Sequence, residues 1–219
     1  MKTAILFGAS GLVGSHLLNQ LIVNNKYSKI KLFVRSTIDI NDPKIEIIQT
    51  DFNNLTNHKD DIRGDDCFFC IGTTKKNSPN KNEYKRVELE IPKQIAQIAK
   101  SNLVNSFVFV SSGYADSKSS GDYLKFKGEV EEELKRLDFP KLGIMRPSFL
   151  LGERKENRVG EKMGIFIFKL LSPLFIGPLK KMKPIHSENV ANAMLNICEG
   201  DHQQIVFESN EIAELAKNQ

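Results

Sequence analysis

Two groups of residues could do chemistry together. Tyr123-Leu124-Lys125-Phe126-Lys127 holds a phenol and an ammonium four residues apart. On a helix Tyr123 and Lys127 share a face, whereas Lys125, two residues away, cannot join them. A phenol with a reference pKa of about 10 is a poor base at neutrality, but an adjacent cation favours the phenolate. Just upstream, Ser111-Ser112 offers a hydroxyl, with Ser112 placed to hydrogen-bond a substrate oxygen and orient it for proton transfer. Near the start of the chain, Gly8-Ala9-Ser10-Gly11-Leu12-Val13-Gly14 spaces three glycines as G-x-x-G-x-x-G. Such a turn lets the backbone approach a pyrophosphate, whose charge then meets the unpaired N–H groups opening a helix. Each motif has a plain alternative. A glycine turn can simply pack helix on strand, and a lysine can snorkel past a tyrosine ring. Together, in this order on one chain, they point to a nicotinamide-dependent oxidoreductase.

Other positions fit that reading. Arg35 and Ser36 stand about twenty residues beyond Gly14, after the second apolar run, where a carboxylate would accept from a ribose diol. A guanidinium and a hydroxyl suit a 2′-phosphate instead, which favours NADP over NAD. Asp51-Phe52 follows the third run and could face the adenine; Asp51 would accept from the exocyclic amine or else cap a helix. Gly72-Thr73-Thr74, after the fourth run, is small enough for the dinucleotide to pass closely. Lys127 could also hold the nicotinamide ribose. The expected cofactor-binding set is therefore Gly8, Ser10, Gly11, Leu12, Val13, Gly14, Arg35, Ser36, Asp51, Phe52, Gly72, Thr73 and Lys127, with Ser112, Tyr123 and Lys127 as the catalytic set.

These residues need a scaffold that delivers them to one edge. Short apolar runs at Ala4–Phe7, Ile30–Val34, Ile45–Ile48, Cys67–Ile71, Phe107–Val110 and Leu142–Met145 lack strict alternation, and helical patterns separate them. That rhythm predicts a parallel sheet covered on both faces, a three-layer α/β Rossmann-like fold. Helices are expected over 11–23, with Val13, Leu17 and Leu21 on one stripe, weakly over 54–61, and over 122–137. Val87, Ile91, Ile95 and Ile98 define another, in which Pro92 must mark a kink or the true start. Ser187 is expected to cap a helix over 188–198. A late strand over 204–207 and a helix near Glu211 complete the core. Residues 1–219 read as one domain, with 147–186 elaborating it over the cofactor and substrate. Within that part, Met163–Ile176 is apolar and bracketed by basic residues. It reads first as a buried lid, a substrate wall or a subunit contact, and leaves room for weak association with a membrane surface.

Composition narrows the partners. The formal charge is +4 from 31 basic and 27 acidic side chains, mixed along the chain, which argues against nucleic acid. The clusters Lys75-Lys76 and Lys180-Lys181-Met182-Lys183 read as solvated faces, as do Glu129, Glu131, Glu132 and Glu133. Three cysteines suit a reducing compartment, taken here as the cytoplasm. Cys67 and Cys70, three apart on a strand, face opposite ways and cannot share a metal; four scattered histidines add no zinc pattern, so no metal is expected. No run is long enough for a signal peptide or a membrane span. A small molecule is the expected partner of a monomer or homodimer. Arg146, after the sixth strand, stabilises the sheet end or approaches the cofactor. His186 lines the pocket or only precedes the helix cap.

Taken with Leu6-Phe7-Gly8-Ala9-Ser10-Gly11, these blocks resemble the short-chain dehydrogenase/reductase superfamily, and most nearly its atypical, NADPH-binding oxidoreductase-like members. The further blocks are Cys70-Ile71-Gly72-Thr73-Thr74, Val110-Ser111-Ser112-Gly113, Tyr123 to Glu131, and Arg146-Pro147. The resemblance implies a Rossmann fold binding NADP, a catalytic pair at Tyr123 and Lys127, and an active-site serine at Ser112, or at Ser111 if the loop length differs. It also implies that Glu88 stands where the family carries an asparagine, or that the relay using that asparagine is absent. A non-catalytic NADP-binding regulator is the alternative reading.

Overall fold

Along the first strand, side chains alternate between two apolar layers: Ala4 and Leu6 pack on one face, Ile5 and Phe7 on the other. That is what a strand buried on both sides requires, and it explains the absence of polar alternation in the sequence. The computed structural model describes residues 1–152 and 181–217. Its main sheet holds seven parallel strands: β1 (Lys2–Phe7), β2 (Tyr27–Val34), β3 (Ile45–Gln49), β4 (Asp66–Phe69), β5 (Ser106–Val110), β6 (Lys141–Arg146) and β9 (Val206–Glu208). Their order is β3-β2-β1-β4-β5-β6-β9. A two-stranded parallel pair, β7 (Leu150–Leu151) with β8 (Ile185–His186), stands apart from it. The expected three-layer Rossmann-like fold is thus observed.

The helices are α1 (Leu12–Val23), α2 (Lys81–Lys85), α3 (Ile91–Ser101), α4 (Asp122–Leu137), α5 (Ser187–Glu199) and α6 (Ser209–Leu215). Leu17 and Leu21 of α1 join Val190, Met194 and Ile212 over one face of the sheet. Ile95 of α3 and Val130 and Leu134 of α4 join Phe7, Phe33, Phe69 and Phe109 over the other. Phe7 stacks on Phe33 with ring centroids 4.5 Å apart, so adjacent strands are tied by rings as well as by their ladders.

The chain runs outward from β1 through β2 to β3, then returns to β4 and runs the other way. A crevice therefore opens at the carboxyl ends of β1 and β4, the switch point at which open α/β sheets hold ligands.

Five local readings are corrected. The weak helix over 54–61 is only one 3₁₀ turn, Leu55–His58. The Val87–Ile98 helix begins earlier, at Lys81, and passes through a π turn at Arg86–Glu90 before Pro92 enters the first turn of α3. Proline lacks an N–H and crowds the preceding turn, and the wider loop takes up the mismatch. Ser187 is a buried residue inside α5; the preceding cap position belongs to His186, with no side-chain cap bond. The late strand starts at Val206, not Gln204. Glu131 and Glu133 are buried, not solvated.

Of the segment expected to build over the pocket, 153–180 lies outside the described residues, and the expectations for Met163–Ile176 fall there. From the nearby basic cluster, Lys181 sits over the Tyr114 ring at 5.2 Å. Among the described residues no helix is long and apolar enough to cross a membrane.

Candidate active site

The turn between β1 and α1 is built on contacts that exclude side chains. Gly8 has φ +89°, and a Cβ on it would lie 2.8 Å from the Cys70 carbonyl carbon. A Cβ on Gly14 would lie 2.8 Å from the Gly8 carbonyl carbon. The Gly11 N–H donates to the Gly8 carbonyl at 3.0 Å, closing the turn. Gly11 then precedes α1 with no side-chain cap and no acidic residue in the first turn. The helix start keeps its unpaired N–H groups and a field suited to an anion.

This turn forms one wall of a cleft of about 530 Å³. Gly8, Ser10, Gly11, Arg35, Ser36, Asp51, Phe52, Gly72 and Thr73 all line it. Of the remaining expected cofactor residues, Val13 and Gly14 are buried behind the turn and Leu12 is half-buried; these three and Lys127 are off the cleft wall. Arg35 is exposed and makes no ion pair among the described residues. Arg86, also on the wall, is held by Glu83 at 2.8 Å and donates to the Phe52 carbonyl.

Asp51 is not a helix cap. Its carboxylate accepts from the backbone N–H of Asn53 at 2.9 Å and from that residue's side chain at 2.7 Å. The Asn53 N–H, foremost, holds the Asp51 carboxyl below its usual range. Phe52 adopts φ 62° and buries its ring 6.3 Å from Phe7, so it contributes to the core as well as to the wall. The left-handed backbone is the turn that brings the chain from β3 back across the cleft.

Lys127 is buried, not snorkelling. Its ammonium pairs with Glu88 at 3.1 Å, donates to the Val110 carbonyl at 3.2 Å and lies 4.8 Å from the Phe109 ring centroid. Burial pushes this lysine toward its neutral form. Glu88 first, then Tyr123 and Glu131, outweigh that and hold its pKa above the ordinary value. Tyr123, one turn earlier, is 37% exposed and so open to a ligand.

Glu88 links the two halves of the site: its other oxygen accepts the Thr73 N–H at 2.5 Å, on the cleft edge. Sequence reasoning singled out Glu88 only as a replacement in a family pattern. In sequence it is flanked by Val87 and Leu89 and followed by a second acid, Glu90; the fold buries Glu88 and leaves Glu90 exposed.

The two serines are sorted by their partners. Ser111 is buried and donates to Glu131 at 2.5 Å. Glu131 in turn holds Arg146 by two hydrogen bonds, at 2.9 and 2.5 Å. Arg146 also reaches the Ala115 carbonyl and Glu208. This arginine therefore ties β6, α4, β9 and the 111–115 loop together, the structural role expected of it. Ser112 is half-buried and, among the described residues, its hydroxyl donates only to the Gly113 carbonyl at 3.3 Å. Tyr114, with φ 64°, follows in the strained conformation often found beside binding sites. Arg146→Ala would leave the Glu131 carboxylate buried without its partner. The expected loss is about 3–5 kcal/mol of stability, read by urea unfolding.

Cys67 and Cys70 belong to opposite faces of the sheet, as their spacing implied. Burial pushes the Cys70 thiol up to about 12, with Lys127 drawing it only partly back, so it is a poor nucleophile. His186 is exposed at the end of β8, away from the cleft.

A parallel sheet with a crevice at its switch point, a glycine turn without room for side chains and an uncapped helix start define a Rossmann dinucleotide-binding protein. Residues 8–200 match the family described as NAD(P)H-binding, and the chain belongs to that family. It is 30% identical to protein HTATIP2 of Rattus norvegicus, a match covering 99% of this chain and 90% of that protein. It is 34% identical to protein FMP52, mitochondrial, of Meyerozyma guilliermondii, over 88% and 83%. Among solved structures, the Bordetella bronchiseptica enzyme WbmH in complex with NAD+ superposes with a TM-score of 0.71, at 16% identity over 99% and 80%. MoeE5 in complex with UDP-glucose and NAD gives 0.67, at 17% identity over 99% and 81%. The expected kinship with the atypical short-chain dehydrogenase/reductases agrees with these likenesses.

Proposed function

We propose that this protein is an NADP-dependent oxidoreductase acting on a carbonyl or alcohol of a small, partly apolar substrate. The observation that carries this reading is the placement of Tyr123 and Lys127 on α4 and of Ser112 in the loop just after β5, with Glu88 tying Lys127 to Thr73 on the cleft edge. A bound NAD(P)H would supply the hydride. Gly8, Gly11 and the start of α1 would receive its phosphates. Ser112 would hydrogen-bond the substrate oxygen, and Tyr123 would give or take the proton. Lys127 would act on Tyr123 through its charge, with one N–H given to the Val110 carbonyl and the Glu88 carboxylate paired beside it.

The preference for NADP rests on Arg35, an exposed cation on the cleft wall that makes no salt bridge among the described residues. Arg35→Ala is expected to weaken NADPH binding about tenfold or more while leaving NADH binding nearly unchanged, read by calorimetry with both nucleotides. A reducing compartment belongs to the same reading, since Cys67, Cys70 and Cys198 are free thiols. Cytoplasm is the proposed address; the mitochondrial label on FMP52 is that relative's own, and fractionation would decide.

The test is NADPH consumption across a panel of aldehydes and ketones, run beside nucleotide calorimetry. Uptake with turnover supports the enzyme. Uptake with no turnover on any compound favours a binding or regulatory protein, and no uptake overturns both.

A further inference from the structure

Arg86 stands on the cleft wall with its charge already matched. Its Nε and Nη2 donate to the two carboxylate oxygens of Glu83 at 2.8 and 3.1 Å, and Nη1 donates to the Phe52 carbonyl at 3.0 Å. A guanidinium is planar, so three such bonds fix the orientation of its plane. Phe52 offers that carbonyl from its left-handed turn, a conformation costly for a bulky residue and kept only where the surroundings hold it. Glu83 and Arg86 line a second, shallower recess of about 370 Å³ as well as the cleft. The pair is therefore a partition between the two.

A cation paired this closely with a carboxylate is a poor receptor for phosphate, because the carboxylate repels the same anion. A flat, neutral ligand suits it better: the faces of the guanidinium stay free, and they stack well on aromatic rings. Arg35 belongs to the same end of the cleft. The hydrogen bond from Arg86, foremost, holds the Glu83 carboxyl below its usual range, and the charge of Arg35 adds to it. Arg86 in turn is stabilised as a cation by Glu83 foremost, and by Asp51 and Glu90. We propose that Arg86, held flat by Glu83 and the Phe52 carbonyl, is the platform on which the adenine base of the nucleotide stacks, while Arg35 alone meets the 2′-phosphate. This rests on the nucleotide-binding reading above and adds the residue that selects a purine base.

In NADP the base and the 2′-phosphate hang from one ribose, so two arginines at one end of the cleft can serve both. Their contributions are separable. A stacking platform acts on every nucleotide that carries adenine, phosphorylated or not, and it favours the two fused rings of a purine over a single pyrimidine ring by contact area. A phosphate contact acts on NADPH alone. A side chain that merely props the Phe52 turn acts on any dinucleotide, whatever its base.

Calorimetry with NADPH, NADH and the reduced dinucleotide bearing cytosine in place of adenine tells these roles apart, weak ligands being measured in competition with NADPH. Arg86→Ala is expected to weaken NADPH and NADH alike, each by about tenfold, and the cytosine analogue by no more than about threefold. Arg86→Lys keeps a cation for Glu83 but has no flat face, so it should lose nearly as much; it also serves if the alanine variant fails to fold. A loss confined to NADPH overturns the proposal, since Arg86 would then be a phosphate contact. An equal loss for the cytosine analogue overturns it too, because Arg86 would only be shaping the turn. Parental affinity in either variant does the same. If the unaltered protein takes up none of the three dinucleotides, the nucleotide-binding reading itself fails and takes the platform with it, a result distinct from all the others.

Discussion

Tyr123→Phe is expected to lower turnover on any accepted carbonyl by about 10²–10⁴-fold, the usual contribution of a placed proton donor. Nucleotide affinity should not move, because Tyr123 is off the cleft wall formed by Gly8, Arg35 and Thr73. Nor should stability change much: the ring is 37% exposed, and losing one hydroxyl there leaves no buried group unpaired. Stopped-flow measurement of NADPH consumption with calorimetry on the same sample separates the two quantities. Equal activity in the variant would move the proton donor elsewhere. Ser112→Ala is the useful companion, since among the described residues its hydroxyl is committed only to the Gly113 carbonyl at 3.3 Å.

The second large effect is expected at Gly14. Alanine there would place a methyl 2.8 Å from the Gly8 carbonyl carbon, in a turn closed by Gly11 and backed by the β4 end. Backbone must shift to admit it, at a cost of about 1–3 kcal/mol. For a chain of this length, that lowers the melting temperature by roughly 2–12 °C. The shift occurs where the diphosphate would rest, so binding should weaken far more than stability suggests, by about a hundredfold or more. Gly11→Ala is the graded control. A Cβ at Gly11 would meet the Gly8 oxygen at 3.2 Å, and Gly11 itself has φ −80°, open to any residue. Melting curves and calorimetry on both variants should rank Gly14 well above Gly11; the opposite order would mean that the turn is not the phosphate cradle.

Much of this was legible in the sequence because local patterns carried it. Leu17 and Leu21 mark one helix face, Pro92 announced trouble in its helix, and Tyr123 and Lys127 share a face whatever surrounds them. Glu131 shows where that reasoning ends. In sequence it is one of several acids on a lysine-rich helix, and the plain expectation is solvent. In the fold it is buried against Arg146, Ser111 and the start of the active-site loop. Arg146 lies fifteen residues away, at the end of strand β6, and no periodicity connects it to this helix. The same is true of Asp66, buried with Tyr27 at 2.7 Å and Lys2 at 2.9 Å at the far end of the sheet.

By itself, then, the chain determined the order of strands and helices, the glycine turn and the phenol–ammonium face, because each depends on neighbours within a few residues. Only the tertiary structure decided which serine remains available, which acids are buried and what stands behind Lys127. Those outcomes depend on which distant groups share a space without water, where an unpaired charge is costly and must find its partner across the fold.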